Sequence, residues 1–267
     1  MTTRTAAAAG QFYPSALDAL SAQLDSFLTD EKKEKVIAAI CPHAGYVYSG
    51  AVAGAVYSRL EIPKKVILLG PNHTGYGPQF SVMTEGAWEV PNGTLQVDTG
   101  LAEKIIKEVP FFTRDAAAHV YEHSLEVQIP FIARLRPDAS IVPITMMPAM
   151  LDYLEKAGNA IASAIMEEDE EVLIIVSSDM SHYLPDSTTR KKDSLAIEKI
   201  LALDPRGLLD TVTENMISMC GYIPAITMLY AAKMLGAGIG ELVRYDTSAS
   251  ASGDYEQVVG YAGIIIK

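Results

Sequence analysis

A chain of 267 residues, 49% of them apolar, can bury a large core without disulfides or a structural metal. Its formal net charge of −12 would repel a phosphate backbone, and basic residues gather only in short groups such as Lys32-Lys33 and Arg190-Lys191-Lys192, so nucleic acid is excluded as an expected partner. No apolar run reaches the roughly 18 to 20 residues that span a bilayer, MTTRTAAAAG lacks the leucine-rich core of a secretory signal, and the two cysteines, Cys41 and Cys220, lie far apart; a soluble protein of the reducing cytoplasm, with no membrane partner, is expected.

In chain order, a turn at Tyr13-Pro14 is followed by Ser15 as the expected cap of a helix in which Leu17, Leu20, Leu24, Phe27 and Leu28 recur at helical spacing. Val- and Ile-rich runs short enough to be strands fall at 36–42, 65–70, 139–146, 171–177, 241–247 and 258–266. Helical patterns are expected at 49–60, 99–108, 119–136, 151–167, 190–203 and 224–235. The helix at 49–60 is rich in small residues, Ala51, Ala53, Gly54 and Ala55, that let it lie close against a sheet. Strands buried on both faces and separated by helices read as one α/β domain over 1–267 with a mainly parallel sheet, and 80–90 is a place for an antiparallel edge. There is no internal repeat and no linker, and TSASASGDY at 247–255 reads as a mobile loop.

Five histidines occur: His43, His73, His119, His123 and His182. VIAAICPH, VILLGPNH and VLIIVSSDMSH each place an imidazole just past an apolar strand. In an open α/β sheet the carboxyl ends of parallel strands leave the crevice where ligands bind, so these three segments are expected to converge. Two imidazoles and one anionic donor would leave open positions on a metal for water, oxygen or substrate. Cys220 is a candidate donor: Gly221 and Pro224 follow it, and a helix starting there would favour thiolate. The competing reading of Cys220 is a small buried hydrophobe, and Cys41, within a strand pattern, is expected to pack. In SSDMSH, Asp179 three residues before His182 is acid/base hardware or, equally, a turn cap.

PHAGYVYSG at 42–50, GPNH at 70–73, EHSLEVQIPF at 122–131, SSDMSH at 177–182 and CGYIPAI at 220–226, with QFYP at 11–14 and VVGYAG at 258–263, together resemble the Memo (mediator of cell motility) family, in order and over nearly the whole chain. The resemblance implies an α/β/α sandwich like that of class III extradiol ring-cleaving dioxygenases. It also implies a metal held by His43, His73 and Cys220, Fe(II) first with Cu or Zn as alternatives, with His182 and Asp179 as the acid/base pair. His123 and Tyr46 would line the same pocket. The activity implied is that of a dioxygenase-like oxidoreductase acting on a small molecule or peptide, in a system with AMMECR1-like and radical-SAM proteins; a homo-oligomer is compatible with it. Thr74 and Tyr222 stand where animal members often have histidine and arginine, so substrate preference does not transfer.

Three other readings fit the same residues. HVYEH at 119–123 matches the H-x-x-E-H pattern of zinc peptidases, although Pro130 soon interrupts the helix. Cys220, His182 and Asp179 could form a thiol hydrolase. The pocket could instead serve a non-catalytic adaptor that uses Tyr46, Tyr48, Tyr183, Tyr222 and Tyr255 as contact area for a partner peptide.

Overall fold

A computed structural model describes residues 3–267. The strands are β1 (Thr3–Arg4), β2 (Ala38–Cys41), β3 (Lys65–Pro71), β4 (Phe80–Val82), β5 (Ala87–Val90), β6 (Gly93–Val97), β7 (Thr113–Arg114), β8 (Ser140–Met146), β9 (Val172–Ser177), β10 (His182–Leu184), β11 (Gly240–Thr247) and β12 (Val258–Ile266). The helices are α1 (Leu17–Phe27), α2 (Tyr46–Arg59), α3 (Thr99–Glu108), α4 (His123–Glu126), α5 (Ile129–Leu135), α6 (Leu151–Met166), α7 (Asp186–Leu201), α8 (Pro205–Glu214), α9 (Tyr222–Met234) and α10 (Ala249–Ser252).

The strands join in one sheet whose main path runs β1-β5-β6-β8-β3-β9-β2-β12-β10, with β11 beside β12 and β4 beside β8. The central run β6-β8-β3-β9-β2 is parallel throughout, and antiparallel pairing begins where β12 meets β2. Strict alternation along these central strands sends residues to two separate cores. Ile40, Ile67, Leu69, Ile174 and Val176 pack with α3, α6, α7, α8 and α9. Ala39, Cys41, Val66, Leu68, Leu173 and Ile175 face the other way, against α1, α2 and α5. Each central strand therefore reads as a continuous apolar run, because both of its faces are covered. The result is a mixed α/β domain with a large, mostly parallel sheet.

The strands expected at 36–42, 65–70, 139–146, 171–177, 241–247 and 258–266 all form, within a few residues of those limits. The differences are local. Ser15 does not cap α1; the preceding residue is Ala16, with no side-chain cap. The helix expected at 119–136 is broken into a 3-10 turn at Ala117–His119 and then α4 and α5. The break falls at Glu122, whose extended backbone (φ −77°, ψ 122°) lets its carboxylate cap the Ser124 N–H, and Pro130 then opens α5. The stretch at 247–255 contains the short helix α10, closed by Gly253 at φ 73°. The antiparallel edge expected at 80–90 is met by β4 against β8 and by β5 against β6, whereas α8, opened by Asp204 and Pro205, and the three-residue β10 lie outside the expected elements.

Candidate metal centre

In register with one another, β2, β3 and β9 end at the same edge: Cys41 pairs with Ser177, and Leu69 with Val176. Pro42-His43, Asn72-His73 and Ser178-Asp179 therefore emerge side by side, as the crossover rule for parallel sheets requires.

His43 is 2% exposed, and a chain of buried hydrogen bonds fixes its ring. The Tyr57 hydroxyl donates to Gln128 Oε1 (3.0 Å), and Gln128 Nε2 donates to the Pro42 carbonyl (3.0 Å) and to Ser177 Oγ (2.8 Å). The one Ser177 hydroxyl proton goes to the Ser124 carbonyl at 2.6 Å. Ser177 Oγ can therefore only accept from His43 Nδ1, 3.0 Å away. The proton sits on Nδ1, and Nε2 presents its lone pair to the site. Burial, and then the neighbouring imidazoles of His123, His73 and His182, hold the His43 pKa well below its ordinary value, so this ring stays neutral.

His73 is tied by a different device. Its N–H donates to Glu122 Oε2 (2.6 Å) and its Nδ1 lies 2.9 Å from Oε1, which also accepts from Ser124 N–H at 2.9 Å. Burial alone would raise the Glu122 pKa, but the hydrogen bonds from His73 and from the Ser124 N–H hold it below the ordinary carboxylate value. An ionised carboxylate only accepts, so Nδ1 of His73 also carries the proton and Nε2 is free. A carboxylate fixing the tautomer of an imidazole is the arrangement that metal-binding histidines use.

His123, the first residue of α4, stacks on His73 (ring centroids 4.7 Å apart, 18° between planes) and on Phe12 (4.3 Å, 23°). Donor atoms of His43, His73 and His123 all lie within 4.8 Å of one another, so the three could hold a metal ion. His43 is innermost, while the His73 and His123 side chains are 34% and 26% exposed and form the open side.

Cys220 Sγ lies 3.2 Å from His43 Nε2 and accepts from the Asp179 N–H at 3.2 Å, but it is outside the mutually close trio. Neighbouring N and S donors on one small ion stand about 3.1 to 3.6 Å apart, given Zn–N near 2.05 Å and Zn–S near 2.3 Å, so the His43–Cys220 spacing suits a shared ion. Gly221 makes this approach: a Cβ there would meet Ser178 Cβ at 2.4 Å and the Ser177 carbonyl oxygen at 2.7 Å. The thiol is not poised as thiolate by the amino terminus of α9; burial, and then the nearby Asp179, push its pKa up.

Asp179 is 4% exposed and accepts from the N–H groups of His43 (2.8 Å) and Ala44 (3.3 Å). Burial raises its pKa to about 6 against those hydrogen bonds and the His182 charge. His182 Nδ1 is 2.9 Å from the Ser218 carbonyl, which can only accept, so Nδ1 carries a proton and exchange is left to Nε2. Tyr183, next along, adopts a left-handed φ of 58°, a strained backbone of the kind that clusters at functional sites.

An acid response follows from these groups. His43, His119 and His123 have lowered pKa values, that of His119 to about 4, so between pH 6.5 and that value the unfolded chain takes up protons the folded one refuses. Stability therefore falls as pH drops through this window, by about 1.4 kcal/mol per pH unit for each net proton. Asp179 acts oppositely: raised to about 6, it adds stability as pH falls from 6 toward 3.8. Burial raises the Asp193 pKa as well, but three imidazoles outweigh two carboxyls at this pH, so the urea midpoint of chelator-treated protein is expected to be lower at pH 5.5 than at pH 7.5.

Two expectations are corrected. HVYEH does not build a peptidase site, because His119 sits wholly buried in the 3-10 turn against Trp88 (5.9 Å) while His123 begins a separate helix. Glu122 between them serves His73. Tyr46 is 1% exposed and packs between Tyr13, Phe27 and Phe131, its hydroxyl donating to the Val127 carbonyl (2.7 Å), so it is a core residue and lines no pocket. The orienting roles of Glu122, Ser177 and Gln128 were missed. The available signal was Glu126 and Gln128 alternating with Leu125, Val127 and Ile129 in EHSLEVQIPF, where each buried polar group needs a partner.

Fold and site together define an α/β protein with three clustered imidazoles, one buried and two on the open side, able to hold a metal at the carboxyl edge of its sheet. The Memo-like protein family profile matches residues 4–265, and the chain belongs to that family. It is 44% identical over 268 residues to a MEMO1 family protein of Aquifex aeolicus, covering 99% of each chain. It is 42% identical to one of Archaeoglobus fulgidus, covering 97% of each, and 37% identical to one of Methanopyrus kandleri, covering 99% of each. In fold it is similar to the crystal structure of an uncharacterized protein from Escherichia coli K12, with TM-score 0.58 and 12% identity over 86% of this chain and all of that one. No helix among the described residues is long and apolar enough to cross a membrane.

Proposed function

We propose that this protein holds one metal ion between His43, His73 and His123, with Cys220 beside His43, and works as a non-haem metal-dependent oxidoreductase of the dioxygenase-like type. The observation that carries the reading is the tautomer: two separate hydrogen-bond networks place the proton on Nδ1 of His43 and of His73, leaving both Nε2 lone pairs for one ion. A bound Fe(II) or Cu ion would supply electron transfer and activation of dioxygen, whereas Zn would supply Lewis acidity. Around it this chain's residues exclude water on the His43 side and admit substrate past His73 and His123. His182 takes or gives a proton at Nε2, and the buried Asp179 carboxyl holds the His43 and Ala44 backbone in place.

Anaerobic purification followed by metal analysis is the test. Wild type is expected to retain stoichiometric metal, and His43→Ala to lose it. Wild type that stays metal-free when offered Fe(II), Cu and Zn would end the reading.

A second reading has one observation in its favour: Cys220 Sγ at 3.2 Å from His43 Nε2 is the spacing of a thiol and its base. Ester hydrolysis by metal-free protein, blocked by iodoacetamide, would favour that alternative.

A further inference from the structure

We propose that Phe12 is the positioning residue of His123, and that the segment from Arg4 to Tyr13 is a strap that folds as part of the metal centre. The proposal rests on the metal-binding reading above and deepens it.

Of the three clustered imidazoles, two are held by hydrogen bonds to Nδ1 and one is not. His43 has Ser177 and His73 has Glu122, but Nδ1 of His123 is 3.6 Å from Glu122 Oε1, too far for a hydrogen bond. What His123 has is two near-parallel neighbours, His73 and Phe12, and two stacked partners of one ring must take its opposite faces. The orientation of this donor is therefore set by ring packing. His73 is already fixed by Glu122, which leaves Phe12 as the other jaw.

Phe12 is itself immobilised from both sides. Its N–H donates to the Ala8 carbonyl (2.9 Å) and its carbonyl accepts from the Tyr46 N–H (2.7 Å) at the start of α2. Gly10, at φ 86°, turns the strap so that its N–H reaches the Tyr13 carbonyl at 2.7 Å. The strap is then tied to the helix that His123 begins: Glu126 of α4 accepts from the N–H groups of Ala7 and Ala8 (both 2.8 Å), from the Tyr13 hydroxyl (2.6 Å) and from Arg4 Nη1 (2.6 Å). Arg4 Nη2 also donates to the Glu122 carbonyl at 2.9 Å. Helix, ring and jaw thus form one body, and the strap supports the donor from outside the cluster.

The test is a double-mutant cycle read by Co(II) and Zn(II) affinity and by the visible bands of the Co(II) form, using the full chain freed of metal. Phe12→Ala is expected to weaken binding about tenfold or more, the range that loss of a ligand's supporting partner costs. In a His123→Ala background the same substitution is expected to have no further effect. Phe12→Leu keeps an apolar cover without a stacking ring and is expected to match Phe12→Ala in affinity while circular dichroism and melting stay near wild type; it also serves should Phe12→Ala fail to fold. Unchanged affinity in Phe12→Leu, or an equal loss with and without His123, would overturn the proposal while leaving the metal reading intact. A wild type that binds neither ion would remove both.

Discussion

Replacing Arg4 with methionine is expected to lower the free energy of unfolding by about 3 to 5 kcal/mol, the usual result of removing one partner of a buried ion pair. The Arg4 and Glu126 side chains are 5% and 0% exposed, so the carboxylate cannot turn to water when its partner is gone. The guanidinium also stacks over Trp88 at 4.2 Å and donates to the carbonyls of His119 and Glu122, and those bonds vanish together. For a domain of this size the melting temperature should fall by roughly 10 °C. A double variant, Arg4→Met with Glu126→Met, is not expected to recover the loss. Removing the carboxylate would orphan the Ala7 and Ala8 N–H groups and the Tyr13 hydroxyl, three donors that now share it. A melting temperature for Arg4→Met within a degree or two of wild type would show that the pair contributes little.

Glu122→Gln is expected to reduce metal affinity by about 10- to 100-fold while leaving the protein folded. The amide keeps the shape of the carboxyl group but offers one accepting oxygen where Glu122 now uses two, for His73 N–H, His73 Nδ1 and Ser124 N–H. An amide N–H turned toward the His73 ring would favour the other tautomer and move its lone pair away from the ion. Competitive titration with a chromophoric chelator reads the change, and an affinity equal to that of wild type would mean that Glu122 does not set the tautomer. The predicted losses differ in kind: Arg4 acts on the fold, Glu122 on the ion.

Much of this was legible in the sequence because it depends on period and position. The runs ending in Cys41, Pro71 and Ser177 are apolar without interruption, which marks strands covered on both faces, and the rule for parallel sheets places His43, His73 and Asp179 at one edge. His123 carried no such signal. It does not follow a strand, and the pattern around it imitates an unbroken helix from 119 to 136, so the break at Glu122 that brings its ring to the others was invisible. The cap that makes the break is a carboxylate bonding two residues ahead, a local competition that periodicity does not register. For Cys220 the sequence left two readings open, thiolate donor and small buried hydrophobe, and burial, which outweighs the helix terminus, decides for the protonated thiol.

The order of strands across the sheet bears on when an ion can be acquired. β2 and β3, which carry His43 and His73, are not adjacent; β9, ending at Ser177, lies between them. During synthesis a nascent chain exposes both histidines, and His123 as well, long before residue 177 leaves the ribosome. Until that strand is inserted, the gap between its two neighbours has no fixed width, and Ser177 is not present to set the tautomer of His43. An ion held as proposed would therefore load after folding, in contrast to small zinc domains that ligate and fold in one step, and its identity would be set by what the finished protein meets.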